Sequence, residues 1–206
     1  MRILLIIVVM LSCEPLGADP VRVQREALDG PDRVHGEVTI EAPVPVILAA
    51  LQTPCAVQAW MPGADAIRVL ERRDSVTEVR MRSNLPWPWR DRVARLIFER
   101  RRDGSQTVIR MTNADTQSED GAVVVPFSRA RWTLTPEEEG VHVALSQRFT
   151  PGGTVPQWLA DQMAESRVAD ALDNLESLVE NRRNLDDCHW LPPPRERGRD
   201  QPAGVP

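Results

Sequence analysis

The 206-residue chain contains no lysine and no tyrosine. All 25 of its positive charges are therefore arginine, a bias that points to an arginine-rich bacterial source. Positive charge is not in excess either. The formal net charge is -5 with histidine neutral, which argues against a nucleic-acid partner. Several catalytic signatures are missing: no HExxH helix, no GxSxG elbow and no glycine-rich phosphate loop. His35, His142 and His189 are far apart, with no metal-ligand spacing, so neither a metal nor another cofactor is expected. His142 alternates with Val141 and Val143 and should face solvent. The acidic run Glu137, Glu138, Glu139 sits in a turn and reads as solubility charge. Together these absences weaken an enzymatic reading.

What is present suits one globular domain with tails. Hydrophobic residues make up 42% and charged residues 27%, enough apolar material for a packed core. Residues 1–18 read as a signal peptide. Arg2 is the positive n-region, residues 3–11 are apolar but too short to span a bilayer, and Gly17-Ala18 offers a cleavage site before Asp19. A periplasmic or secreted location follows. Ser12-Cys13 leaves a lipoprotein anchored at Cys13 as the alternative, although Met10 and Leu11 fit that signal poorly.

Residues 19–32 are polar and weakly patterned, an N-terminal arm or short helix. The domain is expected over 33–184. Val34, Gly36, Val38 and Ile40 alternate as a strand. Two short helices follow, each opened by proline: one after Pro43 and Pro45, one at Pro54. Alternating segments at 66–71, 76–82, 92–101, 107–112, 128–135 and 141–149 predict six more strands, with Asp103-Gly104 as a hairpin turn. Sequential strands joined by hairpins imply an antiparallel sheet.

Residues 151–179 are the stretch around which the rest is organised. Thr154 stands three residues before Gln157 in a capping-box pattern, with Pro156 in the first turn. Leu159, Met163, Val168, Leu172, Leu175 and Val179 then make one apolar stripe, about six turns long at 1.5 Å per residue. Ala160, Ala164 and Ala171 lie beside the large residues. A long one-faced helix after so many strands needs a sheet to lie on. The fold class is α+β: a curved antiparallel sheet of about seven strands around a long C-terminal helix.

Two segments resemble a known family. LPWPWRDRV at residues 85–93 is similar to the proline-then-Arg-Asp segment of START lipid-transfer domains. PGGTVPQWLADQ at residues 151–162 is similar to their Gly-Gly-x-x-Pro-x-Trp-Leu segment. ARWTLTP at residues 130–136 fits between them, and the resemblance covers roughly residues 34–179. It implies a START-like, helix-grip member of the wider SRPBCC superfamily, holding one lipid or other hydrophobic molecule in an internal cavity. The chain departs in carrying Asp161 where asparagine is usual. It also has Leu96 where the sterol-carrying members have a buried arginine, which implies a more apolar cavity.

The candidate lining residues are the apolar members of the strands and helix: Met81, Leu96, Phe98, Met111, Trp132, Leu145 and Met163, with Ala164 beside them. Each taken singly reads first as part of a filled core. Flexible methionines among them suit an acyl chain. Arg90 and Asp91 are the candidates for polar ligand contact, against the plainer reading of a partly buried ion pair or turn-fixing carboxylate. In START domains the loop corresponding to residues 114–127 gates the cavity, which makes Val123, Val124, Val125 and Phe127 gate candidates. The competing reading has 123–125 merely extending the next strand.

The expected partners are a hydrophobic small molecule and, transiently, a membrane surface; the protein is expected to be monomeric. A cyclase- or hydratase-like enzyme, and an envelope adaptor that binds nothing, remain the alternatives. After cleavage Cys55 and Cys188 are left, an even count that permits a disulfide, although the two helix ends they mark are not obviously adjacent. Residues 185–206 are proline-rich and charged, a disordered tail.

Overall fold

Strict alternation builds the sheet. The strand Arg33–Ile40 buries Val34, Gly36, Val38 and Ile40 and turns the residues between them outward. The computed structural model describes residues 20–85 and 88–180. The expected signal peptide, Cys13, Cys188 and the expected tail lie outside the described residues. In chain order the elements are β1 (Arg22–Glu26), β2 (Arg33–Ile40), α1 (Val44–Gln52), α2 (Pro54–Trp60), β3 (Ala64–Arg72), β4 (Val76–Ser83), β5 (Arg92–Asp103), β6 (Gln106–Ala114), β7 (Val123–Val124), β8 (Phe127–Pro136), β9 (Val141–Thr150) and α3 (Gln157–Glu180). The sheet runs β1-β2-β9-β8-β6-β5-β4-β3, antiparallel throughout this path. With the long final helix and two short helices after the first long strand, this is the helix-grip arrangement.

Two elements differ from expectation. The polar stretch read as an arm or short helix contains β1, which pairs with β2 from Arg22↔Glu37 to Glu26↔Arg33. Residues 123–124 do not extend the following strand. They form β7, a separate two-residue strand parallel to the start of β5. Nine strands result rather than about seven. At the far edge, β3 is interrupted twice: its register against β4 shifts between Ala64 and Ala66 and between Val69 and Glu71.

The helices cover one face of the sheet. Pro45 and Pro54 stand in the first turns of α1 and α2, where a missing N–H costs nothing. Trp60 closes α2 over α1 by donating its indole N–H to the carbonyl of Ala50 at 3.0 Å. Its ring meets Trp132 edge to face at 5.4 Å. The expected capping box of α3 takes another form. The N–H groups of Leu159 and Ala160 bond to the carbonyl of Pro156, and Gln157 gives its amide to the carbonyl of Phe149 and to Asp161.

The C-terminal half of α3 is buried through Val168, Ala171, Leu172, Leu175, Leu178 and Val179. The helix as a whole packs on β1, β2, β9, α1 and α2. That packing brings α2, which carries Cys55, against α3, a closeness the sequence did not suggest. Cys55 is disulfide-bonded; Cys188, the partner considered for it, lies outside the described residues.

Candidate functional site

Gly36 seats the helix. A Cβ there would lie 2.5 Å from Cγ1 of Val168 and 2.7 Å from Cδ1 of Leu172, so only glycine lets β2 and α3 approach this closely. The N-terminal half of α3 is less buried than its other half, with Leu159, Ala160, Met163, Ala164 and Arg167 all partly exposed. A pocket of about 180 Å³ opens between this half and the sheet, and these five residues line it. Its floor is a row across four strands, Phe98 opposite Met111, Met111 opposite Ala130, and Ala130 opposite Gln147. A second lobe of about 240 Å³ lies toward α1, α2 and the β3–β4 turn. Leu51, Val57, Met61, Met81, Phe98 and Ile109 border both lobes.

Few polar groups interrupt this lining. Arg92 is buried at 3% exposure, yet its guanidinium is fully used. It donates to the carbonyls of Pro151 at 2.7 Å and Gly152 at 3.0 Å, and to the carbonyl of Arg90. Burial, and after it the neighbouring charge of Arg90, lower its pKa. Asp161 accepts from Gln157 at 2.8 Å and from the N–H of Asp32 at 3.3 Å, tying the start of α3 to the segment before β2. Arg167 lines the pocket with no hydrogen bond or ion pair to any described residue. Burial lowers its pKa as well, opposed by Asp170.

Met81, Leu96, Phe98, Met111, Trp132, Leu145, Met163 and Ala164 all line the pocket. Arg90 and Asp91 do not. Asp91 accepts from Nε of Arg82 at 3.1 Å and from Nη2 at 2.7 Å, a half-exposed structural ion pair outside the pocket. Arg90 is exposed, and its guanidinium lies against Gly121. The two arginines that do line the pocket are not singled out from the sequence, where the lining is taken from apolar residues. Phase would have found them. Arg92 shares its strand face with Ala94, Leu96 and Phe98, and Arg167 stands four residues after Met163 and four before Ala171.

Of the gate candidates, Val125 lines the pocket. Val123 and Val125 give their N–H groups to the carbonyls of Asp91 at 2.8 Å and Val93 at 3.0 Å. Gly152, at φ +68°, fits beneath this segment, where a Cβ would lie 2.8 Å from Cδ of Pro126. Phe127 takes Arg129 and Arg148 on its ring, at 5.3 and 5.8 Å, and does not line the pocket. His35 and His142 flank Glu37, at 3.9 and 3.5 Å, and neither lines the pocket.

Comparison with known proteins agrees with this architecture. The chain is similar to a STAR-related lipid transfer protein from Xanthomonas axonopodis. The two share 25% identity and a TM-score of 0.74, over 80% of this chain and 96% of that one. Human STARD10 has the same fold at 11% identity and a TM-score of 0.74, covering 83% and 74% of the two chains. An uncharacterized protein of Pseudomonas aeruginosa is 28% identical over 80% of this chain and 84% of its own length. Residues 31–180, which hold everything from β2 to the end of α3, match the family described as polyketide cyclase / dehydrase and lipid transport, and the chain belongs to that family with a START helix-grip fold.

Proposed function

We propose that this protein binds one lipid or similar hydrophobic molecule in the pocket beneath α3 and carries it within the bacterial envelope. The observation that supports this best is the apolar floor from β5, β6 and β8 facing the loosely covered half of α3. Affinity would come from apolar burial, about 25 cal/mol per Å², which is non-directional and tolerant of chain type. The apolar run at 3–11 followed by Gly17-Ala18 supports export to the periplasm or beyond. Trp158, 68% exposed beside pocket-lining Leu159, supports transient contact with a membrane, where indoles favour the interface. Ligand would pass under the 114–127 connection, with Val123, Val124, Val125 and Phe127 moving as the gate. The protein acts as a monomer in this reading.

Native mass spectrometry of protein purified from its own host tests binding, and transfer of a labelled lipid between vesicles tests carriage. A lipid-sized adduct and accelerated transfer are expected. Unliganded protein that accelerates no transfer sinks the proposal.

A cyclase- or hydratase-like reaction is the second reading, and one observation favours it: the carboxylate of Asp161 lines the pocket. Its two hydrogen bonds to Gln157 and Asp32 give it a structural task as well. Turnover of a hydrophobic substrate that Asp161→Asn abolishes, with binding retained, would establish the enzyme.

A further inference from the structure

Arg167 faces an apolar pocket with no hydrogen bond or ion pair to any described residue, while every other charged group lining that pocket is engaged. Arg92 is spent on three carbonyls, Asp161 on Gln157 and the N–H of Asp32, and Asp32 on Arg25 and the N–H of Leu28. An arginine stays charged under all physiological conditions. A charge partly withdrawn from water carries a cost that Asp170 offsets without forming an ion pair, and an anion in the pocket would reduce it further. The guanidinium has a fixed fork of five donors, which matches carboxylate or phosphate oxygens in pairs.

The location is specific. Nη1 of Arg167 lies 3.9 Å from where a Cβ on Gly63 would stand, at the turn between α2 and β3. Ser83, also in the lining, is paired across the sheet with Ala64, the next residue. One end of the pocket therefore holds a guanidinium and a hydroxyl. Past Met61 and Met81 it continues to Phe98 and Ile109, which border the second lobe as well. Neither lobe alone reaches the roughly 300–1,000 Å³ of pockets for drug-sized ligands, whereas the two joined do. Methionine side chains yield easily, so a chain threading between Met61 and Met81 would join them.

We propose that the pocket takes an anionic single-chain amphiphile, its carboxylate or phosphate head held by Arg167 and its acyl chain running into the second lobe. This rests on the ligand-binding reading above and adds the charge of the ligand and its orientation.

Three probes of equal chain length test it against the delipidated full chain: palmitate, 1-palmitoyl lysophosphatidate and hexadecanol. Displacement of a fluorescent acyl probe gives the affinities. Wild type should prefer one or both anionic probes to hexadecanol by at least about tenfold, and whichever is preferred identifies the head as carboxylate or phosphate. Arg167→Gln should remove that preference by bringing the anionic probes down to the affinity of hexadecanol. Arg167→Lys, a point charge without the fork, should keep part of it. Wild type binding hexadecanol as tightly as the anions overturns this inference and leaves the ligand-binding reading standing, whether or not the variants fold. So does a folded Arg167→Gln that keeps the preference, or that loses all three probes equally. Wild type binding none of the three overturns both.

Discussion

Gly36 on β2 lies directly beneath Val168 of α3, with room for a hydrogen and none for a methyl group. That contact sets the height of the helix over the sheet, and the pocket begins where the contact ends. Gly36→Ala should cost about 1–3 kcal/mol through overpacking. Urea unfolding measures it, and the loss should come from a lower midpoint at unchanged slope.

Ala164→Trp addresses the space itself. Ala164 lines the pocket from the less buried half of α3. The indole should occupy the pocket, so that lipid no longer co-purifies while the melting temperature stays close to wild type. If the variant unfolds, or keeps lipid at the wild-type level, the space beneath α3 is not where lipid binds.

Arg92 fastens the start of β5 to the turn before α3 through Pro151 and Gly152. Arg92→Met would leave those carbonyls without their donor and cost about 1–3 kcal/mol for each one that water cannot reach. Arg92→Lys should rescue little, because an ammonium cannot reproduce a fork that serves three acceptors. Thermal unfolding of the two variants side by side decides it.

Much of this was legible in the sequence, for a physical reason. Val34 to Ile40 and Val141 to Leu145 bury alternate residues, and that pattern is written in the order of apolar letters. The strand at Arg22–Glu26 was not legible. It lies at the sheet edge, keeps Val23 as its single apolar residue, and gains support from an ion pair between Arg25 and Glu165 of α3 at 3.0 Å. Val123–Val124 is too short for any period to register. Arg92 and Arg167 were hidden differently. Their phase was correct for the inner face, but a search for apolar residues passes over arginine.

Glu176 carries a pH dependence. Its Oε1 is buried with no hydrogen-bond partner among the described residues. Burial first, then Glu180 and Asp173, raise its pKa above the usual carboxylate value. The unfolded chain, with its carboxyl at about 4.3, therefore gives up the proton before the folded protein does. Stability from this group is complete below that pH and falls as pH rises through the folded value. Glu176→Gln should stabilise the protein at pH 7 by no more than about 1 kcal/mol, given solvent screening, and leave it unchanged near pH 3.5. Denaturant melts at the two pH values provide the check.

Hydrogen exchange reads the gate. The amides of Val123 and Val125 bond to β5 and should exchange more slowly than those of 115–121, which lie outside any strand. If the segment opens to admit ligand, lipid should slow both amides further. Protection equal to that of β6, with and without lipid, means the segment is fixed and ligand enters elsewhere.

The two register shifts in β3 bear on how the protein behaves in a crowded solution. An outer strand normally presents a row of unsatisfied backbone groups on which another chain can add a strand. Here the row is broken twice within nine residues, and Arg68, Glu71 and Arg72 are exposed along it. An incoming strand would find no continuous ladder to extend. Strand addition at this edge is thereby disfavoured, even though Leu70 is 41% exposed along it.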